Sequence, residues 1–145
     1  MEIKMKYLTE TAKMPTCGSI YSAGSDLCAD INTTVVIPPH TTVKIHTGIA
    51  IELPENTFGA MFARSGISTK RGLSLANGVG VIDSDYRGEL IVALHNHSND
   101  TQIVGPNERI AQLVIVPYIK AEFVSTETLS NTVRGEGGFG STGVK

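Results

Sequence analysis

No run of about 18 apolar residues occurs in this sequence, so no membrane-spanning helix is expected. The stretch Met1-Glu2-Ile3-Lys4-Met5-Lys6 lacks the apolar core of a secretory signal. Cysteine is scarce. Cys17 and Cys28 have neither CxxC spacing nor nearby histidines, which excludes a disulfide framework or a thiolate metal site. Two small thiols in a reducing compartment remain, and a cytoplasmic setting is the expectation. Charge is scarce too: 18% of residues are charged, with a net charge of -2. That excludes the basic footprint of a duplex nucleic-acid binder and the composition of a disordered polyelectrolyte. The 145 residues suit one domain, since two would each lack a sufficient core.

What is abundant is glycine, with 15 residues, and strand-like alternation. Val43, Ile45, Thr47, Ile49, Ile51 and Leu53 alternate with Lys44, His46 and Glu52, predicting one long half-buried strand bent at Gly48. Phe58–Phe62 alternates as well. Leu90–Leu94 and Leu113–Val116 are apolar runs, read as strands buried on both faces. Ile119, Ala121 and Phe123 alternate again. Turn signals separate the runs: Pro38-Pro39, Pro54-Glu55-Asn56, Asn77-Gly78, Ser98-Asn99-Asp100 and Gly105-Pro106-Asn107. The pattern predicts an all-β sandwich, jelly roll or barrel with at most one short helix, at Ser65–Arg71.

The end of the chain departs from this pattern. Arg134 to Lys145 contains five glycines and only Phe139 and Val144 as apolar residues. Gly135-Glu136-Gly137-Gly138-Phe139-Gly140 matches GxGxxG, but a dinucleotide fingerprint needs a strand before it and a helix after it, and five residues remain. The segment is a disordered tail or a ligand-ordered lid. Glycine amides, Ser141 and Thr142 hydroxyls and the Arg134 fork can all hold an anion, and Phe139 offers a face for a base.

Other segments carry polar groups among apolar ones. Asn77 to Glu89 reads as a hairpin with a charged tip. On a strand, Asp83 and Asp85 would share a face, and Val81 and Ile82 would partly desolvate Asp83, favouring a base. Phe62-Ala63-Arg64-Ser65-Gly66 reads as a strand end and helix start, with Ser65 as a cap beside a phosphate-seeking Arg64. Ser25-Asp26 follows a turn-like Ala23-Gly24. Gln112 lies within an apolar run and needs hydrogen-bond partners. His95 and His97 could share a strand face, but a third zinc ligand is missing.

Taken in order, Ala23–Ala29, Ala63–Ile67, Gly80–Glu89, Glu108–Leu113 and Arg134–Gly143 resemble the five motifs of the trimeric deoxyuridine triphosphatases, the dUTPases. The resemblance covers essentially the whole chain. It implies a jelly-roll (β-clip) subunit over residues 1–133 and a glycine-rich flexible lid over 134–145. It implies a homotrimer whose active sites each draw on all three chains. The implied reaction is dUTP + water → dUMP + pyrophosphate, assisted by Mg²⁺, which limits uracil in DNA and supplies dUMP for thymidylate synthesis. No nucleic-acid or membrane partner is implied.

The resemblance also assigns roles. Asp83 would activate water, and Asp26 would hold Mg²⁺ through its water shell. Ser65 and Gln112 would orient phosphate oxygens, with Gly66 beside them, while Arg64 and Arg134 neutralise charge. Asn77, Gly80, Val81, Ile82 and Ile91 would read uracil. Tyr86 would pack under deoxyribose and exclude a 2′-hydroxyl. Phe139 would stack on the base, with Gly140, Ser141 and Thr142 completing the lid. Ala63 stands where many relatives have proline, and Asn107 where many have glycine. The rival readings are a dCTP deaminase of the same fold and a non-enzymatic dUTP-sensing or structural module.

Overall fold

The computed structural model describes residues 1–138. In chain order its elements are β1 (Lys4–Tyr7), β2 (Thr16–Cys17), β3 (Ser25–Cys28), β4 (Val35–Ile37), β5 (Thr42–His46), β6 (Ile49–Glu52), β7 (Thr57–Phe62), α1 (Ser65–Arg71), β8 (Leu73–Leu75), β9 (Gly80–Ile82), β10 (Ile91–Asn96), β11 (Gln102–Val104) and β12 (Arg109–Pro117). The largest sheet runs β2-β3-β12-β7-β9, and a second runs β5-β10-β8. Pairs β1-β6 and β11-β4 complete the layers, and every ladder is antiparallel. Leu27, Met61, Ile110 and Leu113 of the first sheet join Ile45, Leu73, Val92 and Leu94 of the second in one buried cluster. This is the predicted all-β jelly-roll architecture with its single short helix among the described residues.

Several local expectations are corrected. The long strand from Val43 to Leu53 is two strands, β5 and β6, broken at Thr47-Gly48, where Gly48 takes φ 66°. A side chain at Gly48 would collide with Asp30, Ala12 and Thr9, so the break is fixed by packing. The run Leu90–Leu94 is buried on one face only. Val92 and Leu94 are buried while Ile91 is 38% exposed, because one face of its sheet is uncovered within the chain. The alternation at Ile119–Phe123 forms no strand: Ile119 and Phe123 are 94% and 97% exposed, with no strand among the described residues paired to them. No helix among the described residues is long and apolar enough to cross a membrane.

The Asn77–Glu89 segment is not a ladder hairpin. Its first arm, β9, pairs with β7, while β10 beyond it pairs with β5 and β8. The segment therefore bridges the two sheets. Asn107 adopts φ 61°, the left-handed conformation that glycine usually supplies, so the β11–β12 turn is kept despite the substitution.

Candidate active site

Strand β12 builds the first half of the site. Gln112 sits opposite Asp26 of β3 on one side and Phe62 of β7 on the other. The first, second and fourth motifs are thus drawn together by adjacent ladders. They line one cleft of about 620 Å³ with Gly24, Asp26, Phe62, Arg64, Ser65, Gly66, Arg109 and Gln112 on its walls. That size matches a small-molecule site.

Charge in the cleft is tightly organised. Arg64 Nε donates to Asp26 Oδ1 at 2.7 Å, and its Nη2 reaches Oδ2 at 3.4 Å. Arg109 Nη1 donates to the same Oδ2 at 3.0 Å. Two guanidinium groups share one carboxylate, leaving a net positive charge suited to a polyphosphate. The Gln112 amide donates to the Ala63 carbonyl at 3.0 Å, which fixes its orientation. A Cβ at Gly24 would lie 2.6 Å from Gln112 Oε1, so a larger residue there would displace that amide. Ser65 is the first residue of α1 rather than its cap. Arg64 takes the cap position with extended backbone and no side-chain capping bond. The Arg64 side chain is committed to Asp26, and the Ser65 side chain is left exposed at the cleft.

Next to Asp26 on the same strand, Cys28 is half-buried. Burial, then the Asp26 carboxylate, push its thiol above the ordinary cysteine value, so it is no candidate nucleophile. Arg109 was missed by sequence reasoning. No local signal marked it: it opens the fourth-motif strand, and only the ladder pairing it with Cys28 brings it two residues from Asp26.

The third motif forms a separate slot of about 170 Å³ lined by Val81, Ile82, Asp83, Tyr86, Glu89 and Ile91. This is too small for a nucleotide, for which several hundred Å³ is usual. Asn77, in the β8–β9 turn, and Gly80, the first residue of β9, do not line the slot. Asp83 and Asp85 are not on a strand. Both lie in the turn after β9, closed by Tyr86 N–H to Asp83 O at 3.1 Å, so the shared-face expectation is corrected. The Asp83 side chain is exposed rather than desolvated within one chain, because Val81, 61% exposed, does not cover it.

The two halves are far apart. Ile82 pairs with Gly59, so Asp83 lies alongside Phe58, which lines a pocket with it. Arg64 lies six extended residue steps beyond Phe58, roughly 20 Å of chain. A triphosphate, with only two bridging oxygens from first to last phosphorus, cannot span that gap. Arg134 is also apart from its own cleft: its Nε donates to the Gly137 carbonyl at 2.8 Å. Phe139, Gly140, Ser141 and Thr142 lie outside the described residues. His95 and His97 stack edge-on at 4.5 Å, but no group of three or more potential metal ligands occurs among the described residues.

A jelly roll carrying a cationic cleft and a separate small slot of mixed polarity has the features of a β protein that takes an anionic small molecule. The dUTPase family model matches residues 10–143. The chain is 48% identical over 147 aligned residues, covering 99% of this chain and 97% of the relative, to a deoxyuridine 5'-triphosphate nucleotidohydrolase of Desulfitobacterium hafniense. It is 46% identical to one from Neisseria meningitidis, covering 99% and 98%. Among solved structures, a mutant dUTPase of Staphylococcus bacteriophage 80alpha with dUpNHpp superimposes with TM-score 0.89 at 31% identity, covering 99% of both chains. A mutant dUTPase of phage phi11 of S. aureus, which coordinates a structural Mg(II) ion, gives TM-score 0.81 at 26% identity, covering 90% of this chain and 100% of that one. The chain belongs to the dUTPase family.

Proposed function

We propose that this chain hydrolyses dUTP to dUMP and pyrophosphate, in a homotrimer whose sites are shared between subunits. Membership of the family across all five motifs carries the proposal. The distance between cleft and slot supports the shared site: Asp83 of one subunit must serve the cleft of another. The exposed apolar residues of 118–138, among them Ile119, Phe123 and Leu129, are consistent with an arm that reaches a neighbouring subunit. Residues 134–145 would then close over a neighbour's site as a lid, with Phe139 stacking on uracil.

Within that assembly each group has a defined task. Asp83 takes a proton from a water aligned on the α-phosphorus, and pyrophosphate leaves opposite. Arg64, with Arg134 and Arg109, offsets charge as it moves to the leaving group. Gln112 and Ser65 orient the phosphate oxygens. Val81, Ile82 and Ile91 shape the base slot so that the methyl of thymine is excluded, and Tyr86 does the same for a 2′-hydroxyl. Steric exclusion is the effective device, since a methyl in a roomy pocket discriminates by only about 1–3 kcal/mol.

The donor set fits Mg²⁺ in one way only. Three N–H groups engage the two Asp26 oxygens, leaving about one of the four lone-pair positions. Asp26 therefore suits contact through a bound water, with the triphosphate as the main ligand. The ion would supply neutralisation of phosphate charge.

Hydrolysis in ¹⁸O-water tests the proposal. Label in dUMP, with none in pyrophosphate, is expected for attack at the α-phosphorus. Label in pyrophosphate overturns the assigned site of attack. Conversion of dCTP to dUTP would establish the deaminase reading instead.

A further inference from the structure

The third-motif loop must hold Tyr86 rigidly to exclude a 2′-hydroxyl, yet its tip is exposed. The means of holding it lies at its far end. Glu89 is only 21% exposed in its side chain and lines the slot itself. Its Oε1 accepts the backbone N–H of Gly48 at 2.8 Å and of Thr47 at 3.2 Å. Its Oε2 accepts from His46 Nδ1 at 2.8 Å. One carboxylate thus ties the loop to the β5–β6 corner, where the long strand is broken. Two more bonds reinforce the tie: the Thr47 side-chain Oγ1 donates to Leu90 O at 2.5 Å, and the Leu90 N–H donates to Ile49 O at 2.9 Å.

The same residue fixes Tyr86 directly. The tyrosine hydroxyl donates to the Glu89 carbonyl at 3.0 Å. Its ring lies against Gly88, where any side chain would collide with it. The backbone of Glu89 sets the position of the ring, and the side chain of Glu89 sets the position of that backbone.

We infer that Glu89 is the positioning residue for sugar discrimination, acting through Tyr86 by clamping the loop to the β5–β6 corner. The inference rests on the proposed function, since it concerns dUTP against UTP.

The experiment compares kcat/KM for dUTP and UTP, with Tm, in four variants. Glu89→Ala is expected to lower the dUTP-over-UTP ratio on the order of 10- to 100-fold, as misplacement of a positioned group does. Glu89→Gln can still accept from Thr47 and Gly48 and donate to His46 Nδ1, so its ratio is expected to stay within about threefold. Glu89→Asp, one methylene shorter, is expected to lose discrimination as Glu89→Ala does, and carries the test if Glu89→Ala fails to fold. Ile37→Val, in the core on β4, is the control for stability: lower Tm with an unchanged ratio.

An unchanged ratio in Glu89→Ala or Glu89→Asp overturns the inference. So does a loss in Ile37→Val as large as theirs, or a loss in Glu89→Gln equal to that in Glu89→Ala. Absence of dUTP hydrolysis in the unsubstituted protein overturns the proposed function and this inference with it. Hydrolysis with unaltered discrimination across the Glu89 variants overturns the inference alone.

Discussion

The phosphate cleft and the third-motif loop are built on opposite principles. The polar contacts of the cleft form within one chain. Arg64 and Arg109 hold Asp26, Gln112 is pinned to Ala63, and adjacent ladders set the spacing. At the turn of the loop, Asp83 is an exposed carboxylate that makes no side-chain hydrogen bond among the described residues. Under the proposed function a cleft side chain would support both fold and activity, whereas Asp83 would serve chemistry alone. Substitutions in the two regions should separate stability from turnover.

The largest effect is expected at Asp83. Asp83→Asn should lower kcat on the order of 10²- to 10⁴-fold, the worth of positioned general-base catalysis. Binding of a non-hydrolysable dUTP analogue and Tm should be unchanged. Single-turnover kinetics with calorimetry check this, and equal loss of binding and turnover would show that the loop is structural, erasing the contrast with the cleft.

Mixing tests whether the two regions of one site come from different chains. Asp83→Asn and Arg64→Ala chains should each be nearly inactive alone. Co-assembled at equal amounts, a site that takes Asp83 from one subunit and Arg64 from another has about one chance in four of holding both. Recovery of about a quarter of the unsubstituted activity is expected after refolding the mixture. No recovery would place both residues in the same chain's site, against the roughly 20 Å between them along β7.

Arg64→Ala alone sharpens the other side of the comparison. It leaves Asp26, 13% exposed, with Arg109 as its remaining partner. Loss of about 1–3 kcal/mol of stability is expected, together with a raised KM for dUTP. Urea denaturation and steady-state kinetics check both. A KM change with unaltered stability would mean that the pair contributes nothing to the fold.

The same contrast explains what was legible in the sequence. Glycines, paired polar groups and motif order marked Asp26, Arg64, Gln112 and Asp83 because their residue types are local signals. Strand runs such as Phe58–Phe62 and the helix at Ser65–Arg71 were legible for the same reason. Relations between distant segments were not. Glu89 reaching Gly48, or Arg109 reaching Asp26, depends on ladder register, which no local pattern encodes. The Asn77–Glu89 segment looked like a hairpin because apolar flanks enclose a polar, charged tip. Which sheet each arm joins is decided by burial elsewhere. Ile119 and Phe123 alternate like strand residues, and alternation alone cannot state whether a partner strand lies in the same chain.

The smallest effect concerns a residue whose type departs from the family pattern. Asn107 stands in the turn that feeds β12, and its N–H donates to the Ala29 carbonyl at 2.9 Å, just beyond Cys28. Its φ of 61° is one that asparagine tolerates and branched residues do not. Asn107→Gly should therefore change stability by no more than a few tenths of a kcal/mol, while Asn107→Val should cost about 1–2 kcal/mol. Because the turn sets where Arg109 begins the strand, Asn107→Val should also raise the KM for dUTP, with kcat for bound substrate little changed. Thermal melts and kinetics on the two variants check this. Equal stability in both would mean that the turn relaxes freely, and that the cleft does not depend on it for its register.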